Sequence, residues 1–143
     1  MQLSTILNPE AVKVLSTVSS KKRLFQDIGD LAEAAHGLNG GPVVEALLER
    51  ESLGPTGVGH GVALPHARIN GISSVIGAFV VLEKPIDFGA VDRQPVDIAF
   101  ALFAPEDAGV EPLKALALVS RTLRQGSICA KLRSYSPHSS IKS

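Results

Sequence analysis

The residues best equipped for chemistry stand in one stretch, Gly54-Pro55-Thr56-Gly57-Val58-Gly59-His60-Gly61-Val62-Ala63-Leu64-Pro65-His66-Ala67-Arg68. Its glycines can adopt positive φ and let backbone approach a ligand closely. Val62-Ala63-Leu64 is long enough for a brief strand, which Pro65 ends just before His66. A histidine delivered by a strand end, beside a loop offering N–H groups from Thr56, Gly57, Gly59 and Gly61, suits anion chemistry on an imidazole. A neutral imidazole carries one basic nitrogen that can attack phosphorus. Phosphoryl transfer then asks mainly for positioning and charge stabilisation. The competing reading of His66 is a structural histidine near a strand end.

Arg50 closes the helix before this loop and has two readings. It is either a solvated cation of low net value or an arginine aimed at an anion beside His66. Other chemistries find little support. No Gly-x-x-x-x-Gly-Lys-Ser/Thr sequence occurs, and Gly57-Val58-Gly59 lacks the third glycine of a dinucleotide fingerprint. His60 and His66 have no carboxylate-rich or cysteine partner to complete a metal site, so no metal is expected. A nucleophile elbow for Ser-His-Asp hydrolysis is missing. His36 reads as a favourable cation at a helix C-terminus, Cys129 as a small hydrophobe on a helix beside Ile128 and Leu132, and His138 as a residue of the tail.

Several elements must position this stretch. Asn8-Pro9-Glu10 suits the start of a helical turn, with Asn8 as cap and Pro9 at the first position. Val12 to Leu15 reads as a short strand. Leu24, Ile28, Leu31 and Ala35 predict a helix over 20–35, capped by Ser19 or Ser20 and ended at His36-Gly37. A second helix is expected over 42–52, with Val43, Val44, Leu47 and Leu48 inward and Glu45, Glu49, Arg50 and Glu51 outward. Ser74 to Leu82 and Val96 to Phe103 are nearly continuous apolar runs, as in strands buried on both faces. Glu83-Lys84-Pro85 closes the first, and 86–90 reads as an irregular connection or a short edge segment. A third helix over 112–125 has Leu113, Leu116, Ala117, Ser120 and Leu123 on its expected buried face. A fourth is expected from Ile128 to about Tyr135. The fold class is therefore α/β, a single domain with helices packed on a mixed sheet.

Composition narrows the setting. The chain has 143 residues, 45% of them apolar and 20% charged, with 14 basic and 14 acidic residues. One domain is the simplest organisation, and zero net charge argues against general nucleic-acid binding. The single cysteine fits a reducing cytoplasm. Neither a signal peptide nor an apolar run long enough to span a membrane is visible. From Ser134 to Ser143 the chain turns serine-rich, is broken by Pro137, and reads as a disordered tail.

The stretch Leu53 to Ala67 closely resembles the active-site signature of enzyme IIA of the bacterial phosphoenolpyruvate sugar phosphotransferase system, fructose/mannitol class, and best its nitrogen-regulatory branch. The resemblance extends to Leu47-Leu48-Glu49-Arg50-Glu51, to Lys84-Pro85-Ile86, to Gln94 through Leu102 and to Leu113 through Leu123. It covers most of the chain to about Arg133, so residues 1–133 are expected to form the IIA domain and 134–143 the tail. It implies a mixed β-sheet flanked by helices and a phosphocarrier without cofactor. His66 would accept a phosphoryl group at Nε2 from phospho-HPr, with Arg50 at the phosphate site. His60 falls at a variable position and carries no implied role.

The expected output is regulatory, through proteins bound according to phosphorylation state. The alternative is a sugar-transport IIA that passes phosphate to a IIB component. The surface around His66, with Val58, Leu64 and residues near Leu113, is expected to be apolar to receive HPr. Two departures stand out. Relatives of this kind usually carry a second histidine immediately before the leucine matching Leu113, where this chain has Pro112. They also continue into a longer final helix. Without the second imidazole a phosphorylation-independent binding module is a further alternative, and a metal hydrolase using His60 and His66 is a fourth.

Overall fold

The computed structural model describes residues 7–107, 109–126 and 129–130. Among these residues six strands form one mixed sheet and three helices flank it, as the α/β reading expects. The strands are β1 (Leu7–Leu15), β2 (Gly57–Gly59), β3 (Val62–Ala63), β4 (His66–Ile69), β5 (Ile76–Ile86) and β6 (Val96–Pro105). The helices are α1 (Lys21–His36), α2 (Gly40–Ser52) and α3 (Glu111–Leu123). The expected tail over 134–143 and most of the expected fourth helix lie outside the described residues. Of that helix, Cys129 and Ala130 are described and helical.

Both apolar runs become the centre of the sheet. β5 and β6 pair antiparallel from Ile76 opposite Phe103 to Val81 opposite Ile98. β5 runs past the expected stop at Glu83-Lys84-Pro85 to Ile86, which pairs with Val96 beyond a register irregularity. A proline lacks the ladder donor and is tolerated where pairing is already broken. β1 flanks β5 in parallel as an edge strand. The helical turn expected at Asn8-Pro9-Glu10 does not form, because these residues belong to β1. Pairing shifts between Leu7 and Val12, so Pro9 again falls at an irregularity, and here tertiary pairing overrides a local capping signal.

β3 and β4 lie in succession along the other side of β6, both parallel to it. Their register is continuous: Val62 opposes Ile98, Ala63 opposes Ala99 and His66 opposes Leu102, all at one offset. Pro65 marks a gap between two strands without shifting them, and its carbonyl accepts Leu102 N–H at 2.9 Å. His66 is thus the first residue of a paired strand. The glycine loop is also partly strand, since β2 folds back antiparallel on β3.

α1 and α2 cover one face of the sheet. Ser20 caps α1 by accepting Arg23 N–H at 3.1 Å, and Gly37 ends it in the left-handed region at φ 70°. Leu24, Phe25, Ile28 and Ala32 of α1 and Val43 and Leu47 of α2 join Val80, Phe88 and Phe103 in the core on that side. α3 covers the other face, where Ala115, Val119 and Leu123 meet Phe79, Ile98, Phe100 and Leu102. The face expected to be buried on this helix is therefore displaced. Leu123 is buried, but Leu113 is 66% exposed and Ala117 is exposed. The helix carries apolar residues around most of its circumference, and the periodicity admits two stripes. The sheet selects the 115/119/123 stripe and leaves its neighbour facing His66.

Candidate functional site

A strand places side chains alternately on its two faces. Ala63, Ala67 and Ile69 point into the core under α1 and α2, whereas Val62 and Leu64 join the core under α3. His66 shares the parity of Val62 and Leu64. It lines a cavity of about 320 Å³ together with Leu116, Ala117 and Ser120 of α3. Pro55, Thr56, Val58 and Leu64 form more of its lining, and Arg50 reaches it from the last turn of α2. The lining is mostly apolar, as expected around His66. Val58 and Leu113 are exposed large apolar residues, whereas Leu64 is buried.

The imidazole is held at both nitrogens. Leu64 O lies 2.8 Å from Nδ1, and Arg50 Nε lies 3.2 Å from Nε2. A carbonyl can only accept and a guanidinium can only donate. Together these partners select the tautomer with the proton on Nδ1 and the lone pair on Nε2. Arg50 is itself fixed by a second bond, from Nη1 to Gly54 O at 3.0 Å. The guanidinium therefore lies beside His66 and is not free in solvent. Helix α2 ends within the same turn: Leu53 N–H and Gly54 N–H return to Arg50 O and Glu51 O.

The glycine loop is packed more tightly than a bare cradle requires. Thr56 is buried, and both its N–H and its hydroxyl donate to the Glu51 carboxylate. Gly57 lies against Ala90, where a Cβ would come within 2.7 Å of the alanine methyl. Gly59 and Gly61 take φ of 100° and 80°, so L side chains are strained at both positions. Gly61 O accepts N–H groups of Asp97 and Ile98 at 3.0 Å each. Of the four proposed loop residues, Thr56 lines the cavity; the three glycines shape the hairpin that frames it.

His60 sits at the hairpin tip with φ 58°, and its N–H donates to Asp92 Oδ2 at 3.0 Å. Asp92 Oδ1 accepts Gln94 N–H at 3.1 Å. These two backbone donors, Gln94 first and His60 second, hold the Asp92 carboxyl below its ordinary value. The structure does not bring His60 and His66 together with a third ligand: the described residues contain no group of three potential metal ligands. His36 turns inward more than a bare helix-end cation would, with Nε2 2.9 Å from Gly77 O. Cys129 is buried, as a small hydrophobe would be, and its Sγ lies 2.9 Å from Leu123 O.

Sequence reasoning placed Glu51 on the polar side of α2, yet its side chain is only 7% exposed. It also passed over Lys21, whose Nζ meets Glu51 Oε2 at 2.9 Å, and gave Ser120 only a place on the buried face of the third helix, where it in fact lines the cavity. Nothing in helical periodicity singles out Glu51 from its acidic neighbours. The nearest signal was its place between Arg50 and a turn.

Fold and site together define a class: a single α/β domain that presents one histidine, fixed in one tautomer, in a cavity at the sheet edge. Within that class the chain belongs to the family described as phosphoenolpyruvate-dependent sugar phosphotransferase system, EIIA 2, which residues 5–142 match. It is 44% identical over 133 residues to a nitrogen regulatory protein of Bradyrhizobium diazoefficiens, covering 93% of this chain and 87% of that one. Its structure is similar to that of nitrogen regulatory protein IIA-Ntr from Neisseria meningitidis, with TM-score 0.83, 40% identity and coverage of 92% and 90% of the two chains. The fold is shared with the IIA subunit in a complex of enzyme IIA and phosphorylated enzyme IIB for mannitol from Escherichia coli, at TM-score 0.72 and 16% identity, over 96% of this chain and 94% of that one. No helix among the described residues is long and apolar enough to cross a membrane.

Proposed function

We propose that this protein is a cytoplasmic phosphocarrier of the phosphotransferase system that takes a phosphoryl group from phospho-HPr onto His66 Nε2, with a regulatory output. The observation that carries this reading is the pair of contacts on the ring, Leu64 O at Nδ1 and Arg50 Nε at Nε2. They leave the one basic nitrogen on the Arg50 side of a ring that lines the cavity. As the Nε2–P bond forms, the bond from phosphorus to the donor's leaving group breaks, and that group departs with the electron pair. Arg50 must release the Nε2 lone pair for attack, and its planar fork can then turn to the phosphoryl oxygens. The relatives named nitrogen regulatory protein favour regulation over sugar transport. The E. coli complex makes phosphate transfer to a IIB component the alternative output.

Pro112 favours a second reading, a binding module that does not take up phosphate. It occupies the first turn of α3, where the resemblance leads one to expect an imidazole. One experiment separates the two. The protein is incubated with phosphoenolpyruvate, enzyme I and HPr and weighed intact beside His66→Ala and Arg50→Ala. The carrier reading expects one acid-labile phosphoryl group on the wild type and none on His66→Ala. Arg50→Ala should be slower by about a hundredfold, the usual cost of one charge-stabilising donor. A well-folded wild type that gains no mass sinks the carrier reading, and gain of phosphorylation by Pro112→His would then identify the missing imidazole as the cause.

A further inference from the structure

We infer that Glu51 is a positioning residue for His66, acting through Thr56 and with Lys21 as its counter-ion; the inference rests on the reading of His66 as phosphoacceptor. The Glu51 carboxylate is nearly buried and takes its partners, Lys21 and Thr56, from outside its own helix. Lys21 Nζ donates to Oε2 at 2.9 Å. Thr56 N–H reaches Oε2 at 3.1 Å and Oε1 at 3.3 Å, and Thr56 Oγ1 donates to Oε1 at 2.5 Å.

From Thr56 the bonding continues to the imidazole. Thr56 O accepts Leu64 N–H at 2.9 Å, and Leu64 O accepts the Nδ1 proton of His66 at 2.8 Å. Glu51 thus sets the height of Thr56, Thr56 sets the height of Leu64, and the Leu64 carbonyl selects the His66 tautomer. Successive helix residues point about 100° apart. The last turn of α2 can therefore aim Arg50 at Nε2 and Glu51 at the segment that holds Nδ1.

Stability alone is a poor reason for this arrangement. The carboxylate gives up its hydration while Lys21 stays partly exposed, and such a desolvated charge rarely out-stabilises well-packed apolar groups of similar size. Lys21 is fixed from a second side, since its Nζ lies 4.5 Å from the centroid of the Phe88 ring. The carboxylate takes both donors of a residue lining the cavity, which makes Thr56 a fixed part of the frame. Its hydroxyl hydrogen is committed to Glu51 instead of the cavity.

The test compares the full-length wild type with Glu51→Gln and Thr56→Val. Glutamine keeps the shape of Glu51 but puts an NH₂ group where Thr56 or Lys21 now donates. Two properties are read: the ¹⁵N shifts of the neutral His66 ring, and the rate of phosphorylation by phospho-HPr at limiting and saturating donor. In Glu51→Gln the ring is expected to change from the Nδ1–H form to a tautomer mixture. kcat should fall about tenfold, the scale of a small misplacement of a reacting group, with KM for phospho-HPr unchanged. Thr56→Val should move both readouts the same way by about threefold, having lost one hydrogen bond. A purely structural Glu51 would lower Tm and leave the tautomer and kcat of the folded protein as in wild type; that result overturns the inference. If Glu51→Gln does not fold, wild-type values in Thr56→Val overturn it equally. A wild type that takes no phosphate from phospho-HPr defeats the functional reading instead, while the ¹⁵N comparison still decides the role of Glu51.

Discussion

At the scale of single residues, His66 is defined by what its neighbours are able to do. A carbonyl on Nδ1 and a guanidinium on Nε2 leave one assignment of proton and lone pair, irrespective of any partner protein. The glycine stretch, His66 and Arg50 were all legible in the sequence because their types are unusual for their places. Glu51 was not, since a glutamate on a helix is ordinary until the fold buries it. Asp92 was missed for a similar reason: its two backbone donors come from residues 32 positions before it and two after. Its carboxyl titrates below its ordinary value of 3.8. The folded state therefore favours the ionised form. The stabilisation is complete above the ordinary value and is lost as pH falls through the depressed one. Asp92→Asn should accordingly lower Tm at neutral pH, and the gap to wild type should narrow below about pH 4. A gap of constant size from pH 7 to pH 3 would refute this account.

Among the elements, the close crossing of α1 and α2 sets where Arg50 and Glu51 arrive. Gly29 of α1 allows it: a Cβ there would lie 2.6 Å from Val44 Cγ2 and 3.1 Å from Gly40 O. Replacing glycine by alanine inside a helix ordinarily gains up to about 1 kcal/mol. At Gly29 the contact decides the sign, because a β-branched side chain and a backbone carbonyl would both have to move. Gly29→Ala is expected to destabilise the protein by about 1–3 kcal/mol, the cost of overpacking, seen as a lower urea midpoint with unchanged slope. Equal or greater stability would show that the helices have room to part. α1 and α2 were readable because each has one apolar stripe and, in α1, clear caps. On α3 the apolar residues surround the helix, so the choice between its stripes belonged to the sheet. Asn8-Pro9-Glu10 failed as a helix start for the corresponding reason: β5 offered a parallel partner that a local capping pattern could not reveal.

For the molecule as a whole, the sheet separates two apolar layers, and the layer under α1 and α2 also anchors the loop between β5 and β6. Phe88 reads as loop in the sequence, yet it is fully buried, packs edge-on against Phe25 at 5.8 Å between centroids, and carries Lys21 over its ring. Phe88→Ala should lose about 3–5 kcal/mol in urea unfolding, as for other buried aromatics. A loss below 1 kcal/mol would mean that the connection contributes little to the core. What the sequence by itself determined is what local chemistry can express: the α/β alternation, the two buried strands, the first two helices, the glycine-rich stretch ending in His66, and the family to which the chain belongs. Only the tertiary structure decided which face of α3 lies over His66, that Pro65 leaves the strand in register, which nitrogen of His66 carries the proton, and that Glu51 is buried against Thr56 and Lys21. Each of these depends on groups distant in sequence meeting at one place. Patterns of 2 and 3.6 residues specify which side of an element is apolar, but not what stands opposite it.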